Sequence, residues 1–156
     1  IEEVTIPAKT YLSVPQSIMH AGGTVKFKDY EWSGIYQLEP YPIWDSAKRL
    51  TSNMYIKDSV MCLSFHIKKH LPIGKGGMIL TDNAEAVEAL KKLRWSGRHE
   101  ATPMGEDDIE TMGYNSYITP EWAARGLMLL SVYPENHDDQ SEPGGYPDLT
   151  RYGFIK

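Results

Sequence analysis

Short apolar runs alternate along the chain with stretches of helical periodicity. The runs "VTIP", "TVKFKD", "YPIWD", "VMCLSF" and "GMILTD" read as strands, each closed by a polar or turn-forming residue. Between the first two lies "SVPQSIMHAGG", expected to be a short helix capped by Ser13 and ended by Gly22. A strand, helix, strand unit of this kind crosses over right-handed. The clearest helical pattern is "NAEAVEALKKLRWSG": Asn83 is placed to cap it, Glu85 and Glu88 suit its positive end, Lys91, Lys92 and Arg94 suit its negative end, and Gly97 closes it. "TPEWAARGLMLLSVY" follows with Thr119 as cap and Pro120 at the first helical position. This alternation is the order of an α/β layer protein with a largely parallel sheet. From Pro134 the chain turns polar and rich in Pro, Gly and Asp, which reads as a surface tail, residues 133–156, behind a core of residues 1–132.

Composition narrows the partners. At 156 residues and 41% apolar content, the chain suits one domain with a packed core. Its 21 acidic and 16 basic residues leave a formal charge of -5, and no basic face gathers. Nucleic acid and anionic membrane are therefore not expected partners. Cys62 is the single cysteine, so no internal disulfide forms, and no apolar stretch approaches the roughly 18 to 20 residues of a membrane span. These features suggest a cytoplasmic protein. The opening "IEEVTIPAKTY" holds neither a starting Met nor a signal peptide, so a longer parent chain is expected.

The stretch "SFHIKKHLPIGKGG", residues 64–77, concentrates the candidate chemistry. A phosphate-binding P-loop would need a glycine five residues before its Gly-Lys pair and a Ser or Thr after it; Lys69 and Gly76 stand there instead. His66 and His70 are four apart, as in helical zinc sites, but two lysines lie between them where the protease motif has its glutamate, so no metal site is expected. No Gly-x-Ser-x-Gly elbow is present, and Cys62 lies in an apolar run that suppresses a thiolate. What remains is lysine as an amine. A partly desolvated lysine reacts with a carbonyl, and pyridoxal phosphate is the common partner. Such a site needs a carboxylate for the pyridine nitrogen, a flat group against the ring and donors for the phosphate. Asp45, at the end of "YPIWD", can supply the carboxylate, although a strand-end Asp taken alone is more often a turn or cap residue.

The set of motifs resembles the DegT/DnrJ/EryC1/StrS family of sugar aminotransferases. The family's lysine motif runs Ser-Phe-His, two variable residues, Lys, a short apolar spacer, Gly-x-Gly-Gly and a strand, and "SFHIKKHLPIGKGGMILTD" follows it without a gap. The resemblance implies that Lys69 is the Schiff-base lysine, with Lys68 its bystander. "VTIPAKTY" is similar to the stretch after which an aromatic residue stacks on the pyridine ring, which assigns that part to Tyr11. "PIWDSAKRL" resembles the Asp-x-Ala-Gln segment and places Asp45 on the ring nitrogen. Ser64 then bonds the phosphate. "GYNSYITPEWAARGL" resembles the Gly-Tyr-Asn-Tyr-Arg-Met segment, in which Asn115 matches the asparagine that reaches the neighbouring subunit's phosphate. The matches run in the family's order over residues 4–131.

The implied fold is a type I aspartate-aminotransferase-like large domain, three-layered with a mostly parallel sheet, here reduced or truncated. The implied activity is transfer of an amino group, with glutamate as donor, to a keto sugar linked to a nucleotide, by a homodimer holding pyridoxal 5'-phosphate. The alternative is a catalytically incomplete binding or assembly subunit on the same fold. Lys48 stands where the family has Gln or His near the cofactor's ring oxygen; it either adds a cation beside Asp45 or points to solvent. Tyr117 replaces the family's arginine, and the connection from Asp29 to Trp44 is shorter than usual, which predicts a smaller sheet. The family's Gly-Thr or Gly-Ser phosphate turn would fall before Ile1 and its small domain after Lys156, so part of a cofactor site is expected. His66 is expected at the site's edge, and Trp32, Trp44, Trp95 and Trp122 as packing residues.

Overall fold

The structure is a computed structural model and describes residues 2–155. Among the described residues, six strands and three α-helices follow one another as β1 (Glu3–Pro7), α1 (Ser13–His20), β2 (Thr24–Lys28), β3 (Tyr36–Gln37), β4 (Ile43–Asp45), β5 (Val60–Ser64), β6 (Gly77–Leu80), α2 (Ala84–Arg94) and α3 (Pro120–Ser131). β1 and β2 pair in parallel, Val4 beside Val25 and Ile6 beside Phe27. The second sheet runs β3-β4-β5-β6; β4 and β5 are parallel, and the short β3 and the outer β6 join antiparallel. Reciprocal hydrogen bonds between Thr5 and Glu39, at 2.8 and 3.1 Å, tie β1 to the chain leading into β4.

Local chemistry accounts for most of the boundaries. The Asn83 side chain accepts the Ala86 amide at 3.0 Å and so satisfies one of the free donors at the start of α2. Gly97 ends the same helix at φ +82°, where an added Cβ would collide with the Thr111 carbonyl oxygen. Pro120 opens α3 behind Thr119, as expected. Ser13 departs from expectation: it is the first residue of α1, Leu12 occupies the cap position, and no side chain caps that end. "YPIWD" forms a strand only from Ile43, because the Tyr41 amide is taken by the Leu38 carbonyl in a turn.

Two apolar clusters hold the layers. Val4, Ile6, Ile18 and Tyr36 bury β1 against α1 and β3. Phe65, Leu71 and Ile73 form the second, with Leu129 and Tyr133 packed on it from α3 and the residue region that follows. Phe65, Leu71 and Ile73 belong to the loop after β5, so their burial pins that loop against α3.

The segment after residue 133 is polar, yet it is not a free surface tail. Leu149 is 1% exposed and its amide donates to the Ala8 carbonyl at 2.9 Å; Ile155 is buried as well. Asp139 accepts two hydrogen bonds from the Arg49 guanidinium, both at 2.7 Å, and one from Ser33. A polar composition hid this packing, because one leucine and one bidentate ion pair suffice to anchor a loop.

Candidate active site

Tyr11 follows β1, Asp45 ends β4, and Ser64 ends β5, so all three project from the carboxyl ends of strands, where open α/β sheets bind ligands. A cavity of about 750 Å³ opens there. Its wall includes Tyr11, Asp45, Lys48, Ser64 and Lys69, five of the six residues expected at the site. Asn115 is not on that wall; it pairs with Trp95 across an isolated antiparallel bridge behind α2.

The loop that carries Lys69 is built by its neighbours. The Phe65 amide donates to the Gly76 carbonyl at 2.9 Å, Ile67 to Gly74 at 3.1 Å, and Lys69 to His66 at 2.8 Å. Gly74 and Gly76 adopt φ +121° and +96°, both conformations that side-chained residues rarely take. With Leu71 and Ile73 buried beneath, the loop has little freedom to move the lysine. Burial holds the Lys69 ammonium below the usual lysine range, and the Lys48 charge adds to this; Asp45 and Glu142 pull in the opposite direction.

Asp45 is fixed from two sides. The Ala47 amide donates to one carboxylate oxygen at 2.9 Å and the Tyr36 hydroxyl to the other at 3.0 Å. Since Tyr36 spends its proton on Asp45, Thr10 donates to Tyr36, at 2.6 Å. Burial, and next the negative charge of Asp45, raise the Tyr36 phenol far above its usual range, so it stays a neutral donor.

Lys48 does not point to solvent. It is 6% exposed, and its ammonium donates to the Ser141 carbonyl at 3.1 Å and to the Glu142 carboxylate, with the Tyr146 ring 5.4 Å away. The bond from Lys48 holds Glu142 below the usual carboxylate range.

Ser64 accepts the His66 amide at 3.3 Å. His66 lies on the cavity wall, whereas His70 turns away and is held by the Lys48 carbonyl and the Tyr133 hydroxyl, so the two imidazoles do not converge. Among the described residues no group of three or more His, Cys, Asp or Glu is arranged to hold a metal. No helix among them is long and apolar enough to cross a membrane. Burial, with Asp45 second, pushes the Cys62 thiol up to about 11, so it is an inert wall residue.

The wall residues not picked out as site residues from the sequence include Thr10, Trp32, Glu142 and Tyr146. Trp32 is more than packing, since it lies on the wall, stacks with Tyr146 and donates its indole N–H to the Lys9 carbonyl. No local signal marks any of them, because their neighbours in space are far away in the chain.

Known proteins share this fold. A UDP-4-amino-4,6-dideoxy-N-acetyl-beta-L-altrosamine transaminase of Campylobacter jejuni subsp. jejuni is 25% identical over 134 residues, which are 82% of this chain and 35% of that enzyme. Among solved structures, a Helicobacter pylori aminotransferase involved in the biosynthesis of pseudoaminic acid superposes with a TM-score of 0.70 at 17% identity, over 85% of this chain and 46% of that one. A sugar aminotransferase from Micromonospora echinospora superposes at 0.66 with 15% identity, over 85% of this chain and 49% of its own. The chain thus has the aminotransferase fold and spans between a third and a half of the length of these relatives. The sequence model of the DegT/DnrJ/EryC1/StrS aminotransferase family matches residues 54–142, which include the loop of Lys69, α3 and Glu142, and the chain belongs to that family.

Proposed function

We propose that the chain is the cofactor-binding part of a pyridoxal-phosphate-dependent aminotransferase that moves an amino group from glutamate to a keto sugar carried on a nucleotide. The observation that carries this reading is a half-buried lysine amine and a carboxylate held by two hydrogen bonds on the wall of one cavity. The C. jejuni relative, a transaminase of a UDP-linked sugar, supports the substrate class.

The residues fit the cofactor. A volume of about 750 Å³ lies within the range of small-molecule sites. Lys69 would bind its carbonyl, Asp45 its ring nitrogen and Ser64 its phosphate, with the exposed ring of Tyr11 against its face. When bound, pyridoxal phosphate supplies a carbonyl carbon that takes up amines and a ring that draws electrons from the adjoining bonds. The chain does the rest. Asp45 would keep a proton on the ring nitrogen, and the Thr10-Tyr36-Asp45 series holds that carboxylate in place. Lys69, once displaced by the donor's amine, would serve as the base, since burial lowers its affinity for a proton; it would take the proton from the donor's α-carbon and return it at the cofactor's former carbonyl carbon. Lys48 adds a fixed positive charge beside these groups.

Asn115, away from its own cavity, suits a homodimer in which it serves the phosphate of the neighbouring subunit. A lone, half-buried free cysteine suits a cytoplasmic setting.

Borohydride reduction of the full-length protein, followed by peptide mapping, tests the reading. The cofactor should be fixed to the peptide of Lys69, and glutamate should yield 2-oxoglutarate when a nucleotide-linked keto sugar is present. A label on Lys68 or Lys48 overturns the assignment. No label and no turnover would favour the non-catalytic subunit.

A further inference from the structure

Lys48 and Lys69 share one cavity wall with the carboxylates Asp45 and Glu142, and Lys68 and Lys75 stand on it as well. Only one pairing among them is made directly, between Lys48 and Glu142. The Lys48 side chain is 7% exposed, and a buried ammonium is costly unless an opposite charge and hydrogen bonds compensate it. Glu142 supplies that charge from a segment anchored on both sides. Before it, Asp139 grips Arg49, and the Gln140 amide donates to the Lys48 carbonyl at 2.9 Å. After it, Gly144 and Gly145 turn the chain at φ +79° and +70°, and Leu149 is buried beside Ala8. Without Glu142, the other carboxylate on this wall is Asp45.

We propose that Glu142 is a positioning residue: by binding the Lys48 ammonium it keeps Lys48 from pairing with Asp45, so that Asp45 stays open to the cavity and Lys69 does not face a loose second cation.

Lys69 reports the arrangement. From its own loop it shares the wall with His66, Lys68 and Lys75, and from other elements with Tyr11, Asp45, Lys48 and Cys62. Glu142 and Tyr146 complete the wall from the closing segment. The Lys48 charge opposes protonation of Lys69, whereas Asp45 and Glu142 favour it. If Lys48 moved onto Asp45, Lys69 would lose the help of two carboxylates at once. In a chain lacking the Lys48 charge, loss of Glu142 would remove only one.

The inference rests on the proposed function only in naming Lys69 as the reacting amine. Its test reads the amine itself. Full-length protein, cleared of carbonyl cofactor with hydroxylamine and dialysed, is labelled with trace acetic anhydride across a pH series, and the Lys69 peptide is quantified. At a fixed pH below the midpoint, Glu142→Gln should raise Lys69 labelling ~10-fold over the parent, equivalent to about one pH unit, and Glu142→Asp should return it to within ~3-fold. In a Lys48→Gln background the same Glu142→Gln change should raise labelling by ~3-fold or less. Equal effects in the two backgrounds, or none in either, overturn the proposal. If Glu142→Gln does not fold, the double variant decides: a folded double variant identifies the uncompensated ammonium as the cause and supports the pairing, and an unfolded one makes Glu142 structural only. Absence of a covalent cofactor on Lys69 would overturn the proposed function but would not alter how these labelling profiles are judged.

Discussion

The Tyr36 hydroxyl, on a side chain 3% exposed, donates to the Asp45 carboxylate at 3.0 Å. The contact joins the apolar core around Val4 and Ile6 to the cavity, since Tyr36 belongs to both. Tyr36→Phe keeps the packing and removes the donor. It should lower kcat ~10-fold and cost about 1 kcal/mol of folding stability, the scale of one hydrogen bond. Steady-state kinetics and chemical unfolding check this together; an unchanged kcat would mean that the phenol serves packing alone.

Asp45→Asn removes the charge and keeps the shape. The protein should still retain its cofactor, while transamination slows at least ~100-fold, the scale of losing one preorganised electrostatic contact. Normal turnover in this variant would show that Asp45 is not the partner of the ring nitrogen.

Subunit exchange tests the position of Asn115, which lies off the cavity wall. Lys69→Ala and Asn115→Asp should each be inactive, the second because it sets a carboxylate against a phosphate. If Asn115 serves the neighbouring subunit, a mixed dimer has one site with both defects and one with neither, and activity should partly return. Exchange without recovery would end the shared-site reading.

Leu149→Ala probes the closing segment. Leu149 is 1% exposed, so its truncation should destabilise the fold by about 2 to 5 kcal/mol in chemical unfolding. Phe154, 59% exposed, is the control and should cost less than about 0.5 kcal/mol when changed to Ala. Equal small effects would return the segment to the status of a tail.

Helix ends were legible where the chemistry is local. Asn83, Gly97 and Pro120 act on backbone groups within a few residues, and each sits where its residue type predicts. Ser13 was misplaced by one position, because a cap depends on the backbone angles of one residue, which several neighbours can adopt. The two-residue strand β3 is shorter than any periodic pattern, and it became a strand only through its pairing with β4.

The same division runs through the site. The sequence alone pointed to a lysine amine in residues 64–77 and to Asp45 at a strand end, and the resemblance of its motifs to the family added Tyr11, Lys48 and Ser64 and singled out Lys69. Tertiary structure alone decided what surrounds them. Tyr36 holds Asp45, Glu142 holds Lys48, and Leu149 brings a polar segment back over the first strand. Such contacts join residues from separate elements, and their energies depend on burial and distance, which a linear pattern does not encode. Lys48 illustrates the difference: its position in the motif left solvent and site equally open, and only the carboxylate that folds back onto it selects the buried state.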